Sequence, residues 1–230
     1  MTEDRLLARI DGLFLGKIEH HWKGRDPSAI GKTAASGLHQ IDENGFVEDA
    51  QADLENHGGR DKAIHHYAAD HYPSWITEGG IPDNSVPAAF GENISTRGLT
   101  EDILCIGDIL RLGTAVVQIS QGRQPCWKVS EHTQNTRMAY LFQKTGRTGW
   151  YYRVLENGRA SIGEDVHLLE RPQPEWSVKR VTAARLTRRV STEDAAILAI
   201  MPELADGWRT AFAKMASGDR AEDTSGRLKG

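Results

Sequence analysis

Glycine spacing is the feature that most restricts the fold of this chain of 230 residues. Between residues 88 and 115, four glycines recur so closely that no long helix fits among them. Across residues 12–171, short β-prone runs are separated by glycine, proline and asparagine, a pattern typical of barrels and sandwiches. We therefore expect a mainly β fold in which helices are interruptions.

The same pattern predicts the individual elements. The predicted strands are residues 12–18, 62–67, 110–120, 150–156 and 165–170. Two helices are predicted among them, at residues 69–78 and 135–144.

The sequence changes character after the proline-rich run at residues 171–174, where strand punctuation disappears and three helix-length segments follow. Ser191 and Asp194 have the spacing of a capping box at the start of the second segment. We predict a mainly β domain at residues 1–174, a small three-helix domain at 175–217 and a disordered tail at 218–230.

Composition argues against several classes of function. Hydrophobic residues make up 39%, charged residues 26%, and the formal net charge is −4, so binding to nucleic acid or to an anionic membrane is not expected. Apolar stretches fall short of the roughly 20 residues that span a bilayer, and the N-terminus lacks the pattern of a secretory signal. A cytoplasmic location is the expectation, and any site for an anion must be local.

The run Ser-Gln-Gly-Arg-Gln-Pro-Cys-Trp-Lys at residues 120–128 places Cys126 between Arg123 and Lys128. Nearby positive charge favours the thiolate, which is the nucleophilic and metal-binding form of cysteine. The alternative is that Cys126 is a small buried hydrophobe, and the residues alone leave both interpretations open. The other cysteine, Cys105, is expected to be buried. Two cysteines cannot supply the four thiolates of a typical iron–sulfur cluster.

Two further loops are candidate ligand sites. In residues 57–62, His57, Arg60 and a lysine flank two glycines, which suits an anionic group or an ordinary turn with solvated charges. In residues 87–94, Asn93 lies in a glycine-bounded corner, where its amide can bond a heterocycle or its own turn.

Other catalytic patterns are missing from the sequence. It contains no H-E-x-x-H or Cys-x-x-Cys pair for zinc, no serine-hydrolase elbow and no Walker-type phosphate loop. His65 and His66 are adjacent on a predicted strand and would point to opposite faces, so they cannot ligate one ion together. A zinc site is therefore not favoured.

Taken in order, these motifs resemble the MOSC domain family, in its YiiM-like branch, which is linked to resistance against 6-N-hydroxylaminopurine. The matching segments are Pro-Ser-Ala-Ile-Gly-Lys at 27–32, His-Gly-Gly at 57–59, residues 87–94, Ile-Gly-Asp at 106–108, the Cys126 loop and Gly-Trp-Tyr-Tyr-Arg-Val at 149–154. One departure is Gly122, where relatives usually have proline, so a more flexible loop is expected.

The resemblance implies a MOSC β-barrel-like domain that binds the molybdenum cofactor (molybdopterin), with Cys126 as the catalytic residue and the protein ligand to the metal. It also implies that nearby cationic side chains bind the anionic end of the pterin, and that other side chains line the pterin or substrate side of the site. The implied cations are Arg123, Lys128, Lys32, Arg60 and Arg97, and the implied lining residues are Asn93 and His57.

The implied reaction is the two-electron reduction of an N-hydroxylated base analogue, or a related N-hydroxy compound, to the amine. A separate redox partner, expected to be a flavoprotein reductase, would supply the electrons, because the sequence has no iron–sulfur, flavin or nicotinamide motif. Two alternatives stay open. The chain could carry the cofactor or a sulfur species without turnover, or it could be a metal-free cysteine hydrolase or transferase with His57 as its base.

Overall fold

Most strands of the chain form one curled half-barrel sheet with helices packed on it. The computed structural model describes residues 4–52 and 58–229. Within these residues the strands are β1 (Arg5–Arg9), β2 (Gly12–Gly16), β3 (Lys32–Ala34), β4 (His39–Asp42), β5 (Gly45–Phe46), β6 (Ile64–Ala68), β7 (Ile94–Thr96), β8 (Ile109–Leu112), β9 (Ala115–Gly122), β10 (Trp150–Glu156), β11 (Gly158–Ala160) and β12 (Asp165–Glu170).

Nine of these strands form the large sheet in the order β1-β12-β8-β9-β10-β6-β7-β2-β3, and β11, β4 and β5 form a small second sheet. Neighbours in the large sheet are antiparallel, except for the parallel pair β6 and β7. The expected mainly β, barrel-like fold is confirmed.

The run predicted as one strand at residues 110–120 is in fact a hairpin of β8 and β9. Gly113 turns the chain with a φ of +57°, a conformation that L side chains rarely adopt. A β-carbon at this position would also lie 2.4 Å from the carbonyl oxygen of Arg159. The residues on both sides of Gly113 are β-prone, which is why the sequence predicted one strand instead of two.

The helices agree with prediction except for two short helices, at Trp127–His132 and Ser225–Lys229, that the sequence did not indicate. The helix after Cys126 has six residues, too few to show a periodic pattern, and tertiary burial of Val129 supports it. Ser191 caps a helix as predicted, since its Oγ accepts a hydrogen bond from the backbone N of Asp194 at 3.0 Å. The helices are α1 (His71–Thr77), α2 (Trp127–His132), α3 (Met138–Thr145), α4 (Val178–Thr187), α5 (Thr192–Ile200), α6 (Asp206–Ala216) and α7 (Ser225–Lys229), with a short 3-10 helix at Arg60–Lys62.

Helices α4, α5 and α6, which follow residue 174, share a hydrophobic core with the sheet. Val181 of α4, Leu198 of α5 and Phe212 of α6 belong to the same buried cluster as strand residues such as Val117. A second, aromatic cluster, which includes Tyr67, Trp75, Phe90 and Phe142, packs on the other side of β6. The division into domains at residue 174 stays a prediction.

The disorder predicted after residue 217 stays a prediction. The described part of the tail contacts α4. It contains α7, and Glu222 accepts hydrogen bonds from both terminal nitrogens of Arg185 at 2.9 and 3.0 Å. The tail has no periodic pattern of apolar residues. Ion pairs with residues that are distant in the sequence, Arg185 and Arg188, hold it against the rest of the protein.

Among the described residues, no helix combines the length and the apolar character needed to cross a membrane.

Candidate functional site

The cysteine loop is held where β9 ends against β10. Gly122 pairs with Trp150 in the sheet, and the backbone N of Arg123 donates to the carbonyl of Gly149 at 3.0 Å. The chain then turns through Pro125, and Cys126 stands immediately before α2.

Cys126 lies at the junction of two cavities. The larger, about 1180 Å³, lies between the sheet and the C-terminal helices. The smaller, about 90 Å³, lies against the loop at residues 28–32. Four residues line both cavities: Lys62, Cys126, Lys128 and Tyr151. Cys126 is only 6% exposed, so a ligand reaches its thiol through these cavities and not from open surface.

Two buried cations line the smaller cavity together with Cys126. Arg123 and Lys128 are each 7% exposed and both line the smaller cavity. Arg123 Nη1 donates to the carbonyl of Phe90 at 2.5 Å, and Lys128 Nζ lies 5.9 Å from the ring centre of Trp127. Within the described residues no carboxylate forms a salt bridge with either side chain. The site therefore holds positive charge that an anionic ligand would neutralise.

Lys32 is in the same cavity but already has a partner. Its Nζ lies 2.5 Å from Asp49 Oδ1 and from Oδ2, and both side chains are 7% exposed. Burial lowers the pKa of Lys32, while the Asp49 carboxylate opposes that shift. The ion pair joins β3 to the loop beside it, so the geometry favours a structural role.

Asn93 also lines the smaller cavity, and its amide is committed to neighbours. Its Nδ2 donates to Asp49 Oδ2 at 2.8 Å and to the Phe14 carbonyl at 3.3 Å, while its Oδ1 accepts from the backbone N of His65 at 3.1 Å. Asn93 thus links β6 and β2 by hydrogen bonds and forms part of the wall of the smaller cavity.

Sequence reasoning missed two residues of the site, His65 and Tyr151. They are cross-strand partners on β6 and β10, with ring centres 4.9 Å apart, and both line the smaller cavity. Burial, with further contributions from Arg123 and Lys32, lowers the pKa of His65 well below its usual value, so its imidazole is neutral at physiological pH. The alternation of side chains along each predicted strand could have indicated that His65 and Tyr151 each face one side of the sheet. The sequence does not show that their strands, β6 and β10, are neighbours.

His66 points the other way, as predicted for adjacent residues of a strand. Its Nδ1 is 2.9 Å from the Tyr152 hydroxyl and its Nε2 is 2.9 Å from Thr96 Oγ1. This histidine belongs to the core. No group of three or more His, Cys, Asp and Glu side chains in the described chain is arranged to hold a metal ion.

The corner at residues 87–94 is organised by a buried carboxylate. Glu92 is fully buried and accepts from the backbone N of Ala88 at 2.8 Å, from that of Phe90 at 3.1 Å and from the Tyr72 hydroxyl at 2.5 Å. Burial raises the pKa of Glu92, and the Tyr72 hydrogen bond counteracts this. These bonds place the Phe90 carbonyl where Arg123 donates to it.

Two further predicted residues, Arg60 and Arg97, have exposed side chains. Arg60 lines the larger cavity, but its side chain is 74% exposed and lies 3.5 Å from Glu43. Arg97 is 73% exposed, pairs with Asp11 at 3.6 Å and lines neither cavity. His57 falls outside the described residues.

Comparison with known proteins places this arrangement in a family. Residues 53–167 match the MOSC domain. YiiM from Escherichia coli is 35% identical over 221 residues, covering 95% of this chain and 97% of that protein. The chain belongs to the MOSC family. Within it, this MOSC protein falls in the YiiM-like branch.

Two further relatives and one solved structure are also similar to this chain. The uncharacterized protein YflK of Bacillus subtilis is 42% identical over 211 residues, covering 88% of this MOSC protein and 91% of YflK. A protein named "Reductase" from Gibberella moniliformis is 38% identical over 170 residues, which is 73% of this chain and 30% of that one. The crystal structure of YiiM from Geobacillus stearothermophilus has a TM-score of 0.77 at 31% identity, with 91% of this chain and 99% of that one covered.

Proposed function

We propose that this MOSC protein is a molybdenum-cofactor-dependent reductase that converts N-hydroxylated base analogues and related N-hydroxy compounds to amines, as a detoxification enzyme of the cytoplasm. The observation that carries the proposal is a thiol at the junction of two cavities, beside two buried cations that have no carboxylate partner in the described chain.

The residues fit the cofactor chemically. Thiolate is a soft ligand that suits a sulfur-rich metal centre, which assigns the metal to Cys126. Arg123 and Lys128 are buried cations that suit an anionic pterin substituent. Lys32 contributes less, because Asp49 neutralises it. The cofactor, when bound, supplies the two-electron redox chemistry.

The protein's own groups would position the substrate and control its surroundings. His65 is neutral, so it can accept or donate one hydrogen bond without adding charge beside the two cations. Tyr151 presents an aromatic face at the junction of the cavities, which suits a flat base. The low exposure of Cys126 leaves its thiol accessible through the two cavities.

Electrons would come from a separate protein, for which we propose a flavoprotein reductase. The two cysteines of the chain cannot build an iron–sulfur cluster, and the sequence has no recognisable flavin or nicotinamide motif. The fungal relative named "Reductase" favours redox chemistry in this branch of the family.

The decisive experiment uses protein made in a host that synthesises the molybdenum cofactor. We expect the purified protein to contain molybdenum and to reduce 6-N-hydroxylaminopurine when a chemical reductant supplies electrons. Cys126→Ser should lose metal and activity together, whereas the matched control Cys105→Ser should keep both. Full activity in Cys126→Ser would refute the mechanism, and bound molybdenum without turnover would instead indicate a carrier.

A further inference from the structure

The C-terminal tail brings a second set of cations to the larger cavity. Arg227 of α7 donates through Nη1 to the carbonyl of Pro125, the residue before Cys126, and through Nη2 to Gln143 Oε1 at 3.3 Å. Arg185 of α4, Arg227, Glu222 and Cys126 all line this cavity. These cations are distinct from Arg123, which lines only the smaller cavity.

One carboxylate pairs with two guanidinium groups of this cluster, those of Arg185 and Arg188. Arg185 donates to Glu222 through both terminal nitrogens, and Arg188 Nε donates to it at 3.3 Å. The Arg185 hydrogen bond, with the charges of Arg188 and Arg227, lowers the pKa of Glu222. Arg185 and Arg188 therefore pair with the same carboxylate, and Arg227 adds positive charge nearby. Lys128 lines the same cavity.

Arg185 is the buried member of the cluster. Its residue exposure is 7%, and its Nε donates to no group among the described residues. A buried guanidinium is stable when its donors are satisfied and its charge is compensated, because desolvation of an unpaired charge costs several kcal/mol. Here the compensation comes from Glu222, which lies in a tail that the sequence predicts to lack structure of its own.

We propose that Arg185 and Arg227 form a binding site for a phosphate group of a small molecule held in the larger cavity, and that Glu222 occupies this site when no phosphate is bound. Arginine forks bind carboxylate and phosphate oxygens in the same two-bonded geometry, so the glutamate is a chemical stand-in for the ligand. The proposal rests on these contacts and does not require the reductase function.

Two sources of phosphate fit the position beside Cys126. The phosphate could belong to a nucleotide that binds in the larger cavity beside the cofactor, or to the cofactor that the cysteine is proposed to bind. In both cases the phosphate must displace Glu222. Removal of the glutamate carboxylate should therefore strengthen phosphate binding, because more of the protein is then free to bind.

The test measures binding of adenosine 5′-monophosphate and of adenosine to the full-length protein by calorimetry. We expect the monophosphate to bind more tightly than adenosine, with Arg185→Gln and Arg227→Gln each weakening its binding about tenfold. Glu222→Gln should tighten it several-fold. Arg180→Gln is the matched control on the same helix, since Arg180 pairs with Asp194 and lines neither cavity. Arg180→Gln should bind the monophosphate as tightly as the wild-type protein does.

The gain expected for Glu222→Gln cannot arise from misfolding, which would only weaken binding. If the monophosphate binds no better than adenosine in both the wild-type protein and Glu222→Gln, the site does not exist. Unchanged binding in Arg185→Gln would also overturn it. Protein made with and without the cofactor separates the two sources. Equal binding to both forms supports a nucleotide site, and binding only to the cofactor-free form supports a site for the cofactor phosphate.

Discussion

The hydroxyl of Thr182 on α4 lies where a side chain at residue 122 would begin. A β-carbon built on Gly122 comes 1.9 Å from Thr182 Oγ1 and 3.1 Å from Thr182 Cβ. The φ of Gly122 is not positive, so its role is close packing and not a special backbone conformation. The glycine lets α4 approach the end of β9, directly before the cysteine loop. Close packing against Thr182 is therefore the structural reason for a glycine at this position.

Gly122→Ala should lower the free energy of unfolding by about 1–3 kcal/mol, because the added methyl overpacks this contact. Thr182→Ala should restore most of that loss in the double variant. The Thr182 hydroxyl has no hydrogen-bond partner among the described residues, so its removal costs little by itself. Urea denaturation of the single and double variants measures the coupling. Gly207→Ala is the control, since a β-carbon there meets nothing within 4 Å. Simple additivity of the two changes would contradict the contact.

His66 should make stability depend on pH. Burial lowers the pKa of His66 to about 3, whereas in the unfolded chain it titrates near 6.5. The unfolded state therefore binds the proton first, and stability is lost as pH falls below about 6.5. Between pH 7 and pH 5 this group should cost about 2 kcal/mol. The wild-type protein should lose this much more stability than His66→Gln over the same range, measured by denaturation at each pH. Parallel pH curves for the two proteins would show that His66 is not buried in its neutral form.

Arg171, which is partly exposed, forms an ion pair with the fully buried Asp108 and ties the end of β12 to the loop before β8. Arg171 Nε and Nη2 donate to the Asp108 carboxylate at 2.8 and 2.6 Å, and the backbone N of Cys105 donates to it at 2.9 Å. Arg171→Met should cost about 3 kcal/mol, because it leaves a buried charge unpaired. Adding Asp108→Asn should recover part of this loss, as thermal or urea unfolding would show. Arg111→Met, at an exposed pair, is the control and should change little.

The two cysteines should differ in reactivity although both are buried. Cys126 lines both cavities, whereas Cys105 Sγ faces the Pro174 carbonyl at 3.5 Å, and burial raises the pKa of the Cys105 thiol. Iodoacetamide should modify Cys126 at least about tenfold faster in the native protein, as peptide mass spectrometry would measure. Cys105→Ala should retain the fast reaction and Cys126→Ala should remove it. Equal rates would mean that the cavities do not admit even a small reagent.

The sequence predicted local structure well and long-range position less well. β10 and β12 begin and end as predicted, and Ser191 caps its helix as the capping-box spacing indicates. These features depend on residues a few positions apart. The hairpin at Gly113 and the short helix after Cys126 were missed, because a close approach of distant backbone and a tertiary burial decide them.

The sequence by itself determined the mainly β fold and the family, and it placed Arg123, Cys126 and Lys128 in one short segment. Only the tertiary structure decided which other charges remain available. Lys32 is neutralised by Asp49, Arg97 lies elsewhere on the surface, and Arg185 and Arg227 enter from a region with no site motif. The physical reason is that a charge acts over a few ångströms in space. The sequence records which charges exist, but strand register and helix docking decide which of them meet.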